Sequence, residues 1–300
     1  MSGPRIVSLL PSATEILYSL DLGEEIVAVT HECDYPPGAE SKVKITESVI
    51  DHGRLTSAEI DHHVASNIGR HGSIYTLKED LLETIAPDLI VTQELCDVCA
   101  VSYKDVQQAA RVLEGRTKIV SLEPNTLDEV LDTISLVGQL TGRKERARET
   151  VRTLKARLDD VRQRVRGRAR PRVYAMEWLD PPFSGGHWVP EMVEIAGGHE
   201  VLGKSGQKSE RITREQILQA APEIIVLMPC GFSLERTVDE YRRTDFLPGW
   251  KGAVYAVDGS SYFNRPGPRL IDGVEILAAI FHPEADEGRH EPNRDFKRLS

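Results

Sequence analysis

The 300-residue chain contains no run near the ~18 consecutive apolar residues that a membrane-spanning helix needs, so no span is expected. Cysteine is scarce. Cys33, Cys96, Cys99 and Cys230 are too few for a disulfide scaffold, and in a cytosolic chain they are expected to be thiols. Excess positive charge is missing as well: 37 Lys and Arg stand against 47 Asp and Glu, a net charge of −10, which weighs against a general nucleic-acid binder. The start, Met1-Ser2-Gly3-Pro4, has no basic stretch, long apolar region or small-residue cleavage site before Arg5–Leu10. As written, the chain is expected to be cytoplasmic, or periplasmic or extracellular if the true start lies upstream. Neither a Gly-x-Gly-x-x-Gly dinucleotide loop nor a Gly-x-Ser-x-Gly nucleophile elbow occurs. What remains is ordinary globular material. At 40% hydrophobic and 28% charged residues the chain is neither disordered nor fibrous, and its length suits two lobes of about 100 to 150 residues.

Short apolar runs alternate with helical periodicity, the pattern of βα units around a parallel sheet. Strands are expected at Arg5–Leu10, Ile26–Thr30, Asp88–Thr92 and Lys118–Leu122. Helices are expected at Ser12–Leu20 (with the Ser12 hydroxyl as its cap), Leu77–Ile85, Ser102–Leu113 and Thr126–Leu140. The polar, His-rich stretch from Pro36 to Ile74 gives no clear period. From Arg143 to Arg166 there is no Pro or Gly, and Val151, Leu154, Leu158, Val161 and Val165 form one apolar stripe. Such a helix would be about 36 Å long at about 1.5 Å per residue. Its many arginines read better as a solvated face than as a nucleic-acid patch.

Beyond that helix the first half repeats. Ala86-Pro87-Asp88-Leu89-Ile90-Val91 and Ala221-Pro222-Glu223-Ile224-Ile225-Val226 each follow a helical pattern, and their prolines stand 135 residues apart. Arg5–Leu10, followed by Glu15 and Gly23, is echoed by Arg172–Glu177, followed by Glu191 and Gly198. The expected organisation is an N-terminal α/β lobe at 1–142, an interlobe helix at 143–168, a C-terminal α/β lobe at 169–282 and a polar tail at 283–300 that frays.

Parallel sheets bind ligands beyond the carboxyl ends of their strands, so the loops after each strand carry the candidates. They include Pro11–Glu15, His31–Pro37, Gln93–Cys99, Pro181–Trp188, Pro229–Phe232 and Ser261–Pro266.

These loops carry a resemblance. Arg5–Glu15, Cys33-Asp34-Tyr35-Pro36-Pro37, Ala86–Val91 and Arg265-Pro266-Gly267-Pro268-Arg269 resemble the vitamin B12 and ferric-siderophore substrate-binding proteins of ABC importers, and the cobalamin branch most. The resemblance runs from Arg5 to about Phe281. It implies two Rossmann-like lobes joined by a single long helix, with the ligand cleft between them, and a capture protein rather than an enzyme. The ligand would be cobalamin or a related corrinoid, with no cofactor required and an ABC permease as a partner; a monomer is expected. By motif the resemblance implies ligand contacts at Pro11, Ser12, Ala13 and Thr14, at Tyr75 and Gln93, and at Phe183, Ser261, Tyr262 and Arg265, with His187 and Trp188 in the same loop as Phe183. A corrinoid is a broad, mostly apolar plate fringed with amides, which suits aromatic walls and a few donors.

The four thiols are not part of that contact set. His31-x-Cys33 and Cys96-x-x-Cys99, with Cys230, have spacings compatible with zinc, another soft metal or an axial cobalt position. Reduced thiols packed as small hydrophobes are the plainer reading; metal, haem or siderophore binding through this set is the alternative function, and a cytosolic corrinoid-handling protein another. Gly198-His199-Glu200-Val201-Leu202-Gly203-Lys204-Ser205 matches the P-loop pattern by letter, yet a helical stretch precedes it and poor helix material follows, opposite to what a phosphate loop requires. His52, His62, His63 and His71 are read as part of a solvated loop.

Overall fold

A computed structural model describes residues 3–48, 55–71, 75–93, 117–244, 247 and 250–300; the expected helix at Ser102–Leu113 lies outside them. The chain divides into two compact units. One holds Met1–Leu55, Glu59–Pro124 and Leu131–Val151, and the other Thr56–Ala58, Asn125–Val130 and Arg152–Ser300.

In the first unit the strands are β1 (Ile6–Ser8), β2 (Ile26–Val29), β3 (Val43–Lys44), β4 (Thr46–Ser48), β5 (Tyr75–Leu77), β6 (Leu89–Thr92) and β7 (Lys118–Ser121). Five of them make an all-parallel sheet in the order β3-β2-β1-β6-β7, while β4 and β5 pair as an antiparallel ribbon. Strands β1 and β6 are buried along their whole length, as expected of parallel strands covered on both faces. Val7, Leu9, Ala28, Ile45, Leu82, Ile85 and Ile90 form the core on one side.

The second unit carries β8 (Arg172–Trp178), β9 (Phe183–Ser184), β10 (His199–Glu200), β11 (Ile224–Leu227), β12 (Ala253–Val257) and β13 (Phe296–Arg298). Its sheet runs β10-β8-β11-β12-β13, with β9 antiparallel on β8. Tyr174, Met176, Ile217, Ile225, Leu227 and Val254 are among its core residues.

The expected repeat is visible down to single hydrogen bonds. The helices Glu79–Ile85 and Arg214–Ala220 both end on an alanine in the left-handed region, Ala86 at φ 44° and Ala221 at φ 43°. In each copy the acid after the proline accepts from an arginine amide: Arg5 N–H donates to Asp88 Oδ2 at 2.8 Å, and Arg172 N–H donates to Glu223 Oε2 at 2.8 Å. Each arginine also lays its guanidinium on the carbonyls that close the helix, Arg5 on Ile85 O and Arg172 on Ala220 O and Ala221 O. Unsatisfied helix-end carbonyls are thereby paired by a cation, the favourable sign for that end of a helix. The order β2-β1-β6-β7 matches β10-β8-β11-β12.

Four expectations change. The first helix is Pro11–Ser19; Leu10, not Ser12, is its N-cap, with no side-chain cap, because Pro11 at the first helical position pre-sets φ. The long helix is Lys144–Arg164; its Leu154, Leu158 and Val161 are buried, as is Val165 just past its end. Its arginines are largely occupied: Arg157 pairs with Asp272 and Glu275, and Arg164 with Asp160. Between Pro36 and Ile74 the chain forms a short helix at Pro37–Glu40, β3, β4 and a helix at Ser57–His71, so His62, His63 and His71 lie on a helix rather than a loop. Its polar composition hid the period. Finally, the tail does not end as a frayed segment. Phe296 is buried beside Tyr255, and β13 pairs with β12.

A left-handed conformation costs an alanine roughly 1 kcal/mol relative to glycine. Ala86→Gly and Ala221→Gly are therefore each expected to stabilise the protein by about 0.5–1 kcal/mol in urea or thermal unfolding, against the usual sign of a glycine substitution.

Candidate functional site

In the first unit the loop after β1 is held from inside. The Thr14 hydroxyl donates to Ser8 Oγ at 2.8 Å and lies 3.1 Å from Cys33 Sγ. Ser12, Ala13 and Thr14 are buried, and Pro11 alone of the four is half-buried. After β2 the chain turns, with Cys33 N–H donating to Thr30 O at 3.1 Å, and this carries the Cys33 thiol inward onto the helix Pro11–Ser19. His31 stays at the strand end. Its ring lies 5.1 Å from that of Tyr75, which β5 supplies, and its Nδ1 is 2.7 Å from Thr46 Oγ1. Gln93, immediately after β6, is buried.

In the second unit Phe183 lies on β9, and His187 and Trp188 lie on the loop after it, which has an internal frame. The Tyr174 hydroxyl donates to Phe183 O at 3.0 Å, and the Arg211 guanidinium stands 5.6 Å from the half-buried Phe183 ring. His187 sits at φ 49°, its N–H donating to Gln207 O at 2.6 Å and its carbonyl accepting from Gly206 N–H at 2.9 Å. Burial, and next the positive charge of Lys208, hold its imidazole below the ordinary histidine pKa, so it is neutral at physiological pH. Trp188 is a core side chain whose indole N–H donates to Phe263 O at 2.8 Å. Ser261 is occupied too: its N–H and hydroxyl donate to Asp258 Oδ1 and Oδ2 at 2.7 and 2.9 Å. Burial pushes the Asp258 carboxyl up, opposed by Ser261 and by the charges of Arg265 and Arg269. Tyr262 lies 5.8 Å from the Arg269 guanidinium, and Tyr262 and Arg265 are half-buried.

Of the expected metal set, His31, Cys33 and Cys230 lie among the described residues. Cys96 and Cys99 lie outside the described residues, Cys33 is buried against Thr14, and Cys230 is exposed in the second unit. Among the described residues no three His, Cys, Asp or Glu side chains gather closely enough to hold a metal ion.

The sequence did not single out one stack beyond the second sheet. The Arg236 guanidinium lies 3.7 Å over the Phe232 ring, which Trp178 meets edge-on at 5.4 Å. Arg236 stands in the first turn of the helix Leu234–Arg243 and reaches back over Phe232, the last residue of the loop Pro229–Phe232.

Two glutamates brace these loops. Glu177 Oε1 accepts from Gly186 N–H at 2.9 Å and its other oxygen accepts from the Ser209 hydroxyl. Glu200 accepts from the amides of Ala175, Leu202 and Gly203 at 3.0, 3.0 and 2.9 Å. Leu202, Gly203 and Glu200 itself belong to the P-loop-like letters, so the amides that would cradle a phosphate are satisfied by the chain's own carboxylate.

With this geometry in hand, comparison with known proteins is decisive. The periplasmic binding protein family matches residues 6–247. The chain belongs to that family. A vitamin B12-binding protein of Vibrio cholerae is 27% identical over 281 residues, covering 90% of this chain and 86% of its own length. One from Vibrio vulnificus is 23% identical over 280 residues, covering 92% and 89%. The crystal structure of the periplasmic vitamin B12 binding protein of V. cholerae superposes with a TM-score of 0.63 at 23% identity, over 95% of this chain and 98% of that one. A periplasmic haem binding protein from Pseudomonas aeruginosa gives a TM-score of 0.68 at 17% identity, over 100% and 96%. The family fold is the expected α/β fold with parallel sheets.

Burial pushes Glu200 up to about 7 from the 4.5 of an exposed glutamate, against the amides of Gly203, Leu202, Ala175 and Val201 that pull it down. The folded protein therefore keeps a proton that the unfolded chain releases. This contribution to stability is complete below pH 4.5 and is lost as pH rises through about 7. Denaturant unfolding is expected to show Glu200→Gln losing less stability than the unaltered protein between about pH 5 and about pH 8, whatever its starting stability.

Proposed function

We propose that this chain is a substrate-binding protein that captures a corrinoid with the strand-end loops of its units and delivers it to an ABC permease. The observation that carries the reading is the match, along 90% of the chain, to a vitamin B12-binding protein. The contacts proposed are Pro11, Tyr75 and Gln93 in the first unit, and Phe183, His187, Ser261, Tyr262 and Arg265 in the second. Their chemistry supports it: aromatic rings suit a flat macrocycle, and amide or guanidinium donors suit its fringe of carbonyls. Ser12, Ala13 and Thr14 are buried, so their part is to fix the backbone that presents Pro11. Capture needs no bond-making step, and no side chain is assigned a catalytic role. Delivery to a permease requires the working protein to act outside the cytoplasmic membrane.

Isothermal titration with cyanocobalamin is expected to give micromolar affinity or better. Absence of heat and of any visible-band change with both cyano- and aquocobalamin overturns the reading. Phe183→Ala and Arg265→Ala are each expected to weaken binding by more than about 1 kcal/mol, the usual cost of truncating a buried anchor.

A further inference from the structure

We propose that Arg211 and Lys208 recognise the phosphodiester that joins a corrinoid to its nucleotide, and so select nucleotide-bearing corrinoids over truncated ones. The inference rests on the corrinoid reading and names the part of the ligand that the second unit grips.

Phe183 is paired on both sides. On one side β9 runs antiparallel to β8, with Trp178 opposite Phe183; on the other, Arg211 forms an antiparallel bridge with it. Ser184 N–H donates to Glu210 O at 2.9 Å and Ile212 N–H donates to Pro182 O at 2.8 Å, one bond on either side of that bridge. Phe183 and Arg211 are therefore a non-hydrogen-bonded pair, the antiparallel arrangement that brings two side chains closest and sets them on one face. The Arg211 guanidinium accordingly stands 5.6 Å from the Phe183 ring centroid. A macrocycle laid against Phe183 meets this guanidinium at its rim. Arg211 is exposed, so nothing has to open for a ligand to reach it. Glu210, the preceding residue, alternates to the opposite face.

The same two segments are locked together further along. His187 N–H donates to Gln207 O at 2.6 Å, Gly206 N–H donates to His187 O at 2.9 Å, and Glu177 accepts from both Gly186 N–H and the Ser209 hydroxyl. They lie so close that a Cβ on Gly186 would stand 2.4 Å from Ser209 N. Lys208 sits within this frame. It is exposed and makes no ion pair with the described residues, and its charge reaches His187, where it adds to burial in keeping the imidazole neutral. One segment thus supplies two rings, Phe183 and His187, and the other supplies a cation beside each. The planar fork of an arginine matches phosphate oxygens, and an ammonium adds a point charge. The amide fringe of a corrin is neutral, so the phosphodiester is the anion that the periphery of a nucleotide-bearing corrinoid offers.

The test compares cyanocobalamin with dicyanocobinamide by isothermal titration; both are neutral overall, and the phosphodiester is present in the first alone. Raising NaCl from about 50 to about 500 mM is expected to weaken cyanocobalamin binding to the unaltered protein at least about threefold, and dicyanocobinamide binding less than about twofold. Arg211→Gln and Lys208→Gln are each expected to lose at least about fivefold in cyanocobalamin affinity and less than about twofold in dicyanocobinamide affinity, which also reports that the variants fold. Arg211→Lys, which keeps the charge and loses the fork, should fall between the unaltered protein and Arg211→Gln. Equal losses for the two corrinoids, no loss for either, or a cyanocobalamin affinity indifferent to salt overturns this proposal and leaves the corrinoid reading standing. An unaltered protein that binds neither corrinoid overturns both.

Discussion

Parallel pairing is the constraint from which the rest of the structure follows. Strand β1 lies parallel to β2 and β6, and β8 lies parallel to β10 and β11. A parallel neighbour can be reached only by a crossover that returns the chain to the same end of the sheet. Every strand in each set therefore releases its chain at one edge, and the loops that leave it accumulate there. In the first unit that edge receives Pro11 and His31; in the second it receives Trp178 and Cys230. Side chains far apart in sequence become neighbours through topology alone.

Loops brought together in this way carry many backbone amides that no strand or helix pairs. The second unit answers with carboxylates drawn partly or wholly out of solvent. Glu177 takes Gly186 and Ser209, Glu200 takes Ala175, Leu202 and Gly203, and Asp258 takes Ser261 twice. An acceptor-only group with two oxygens can satisfy several donors at once, which makes it an efficient brace where backbone curves too sharply for regular pairing. The cost is desolvation, seen in the upward displacement of Glu177 and Glu200 to about 7. The first unit braces its first loop with neutral hydroxyls instead, Thr14 on Ser8 and Ser8 on Leu10.

Much of the fold was legible because its signals are local. The runs Arg5–Leu10 and Asp88–Thr92 are too apolar and too short for anything but covered strands, and the Ala-Pro-acid turns state the repeat in letters. The apolar stripe of the long helix survives in its buried Leu154, Leu158 and Val161. Which candidate residues follow a strand was legible, but not the direction in which their side chains turn. Cys33 and His31 are two residues apart in one loop, yet the turn at Thr30 sends one side chain to the core and leaves the other at the strand end. Trp188 looks like a ligand wall in sequence and serves the interior, because its indole N–H finds the carbonyl of Phe263, 75 residues away. The Glu200 brace was equally hidden, since a letter match to a phosphate loop does not reveal that a side chain within it fills the nest.

The final strand has a consequence for how this molecule keeps to itself in crowded surroundings. Without β13 the second sheet would stop at β12 with a bare row of amides and carbonyls, a template for another chain's backbone. Residues Phe296–Arg298 cover that row in antiparallel register, and Lys297 and Arg298 place positive charge along the new border. Like charges meeting edge to edge repel, so the border discourages sheet-to-sheet growth between molecules. A segment rich in charge and seemingly dispensable thus acts as the selvedge of the sheet, the finished margin that stops the weave from continuing into its neighbour.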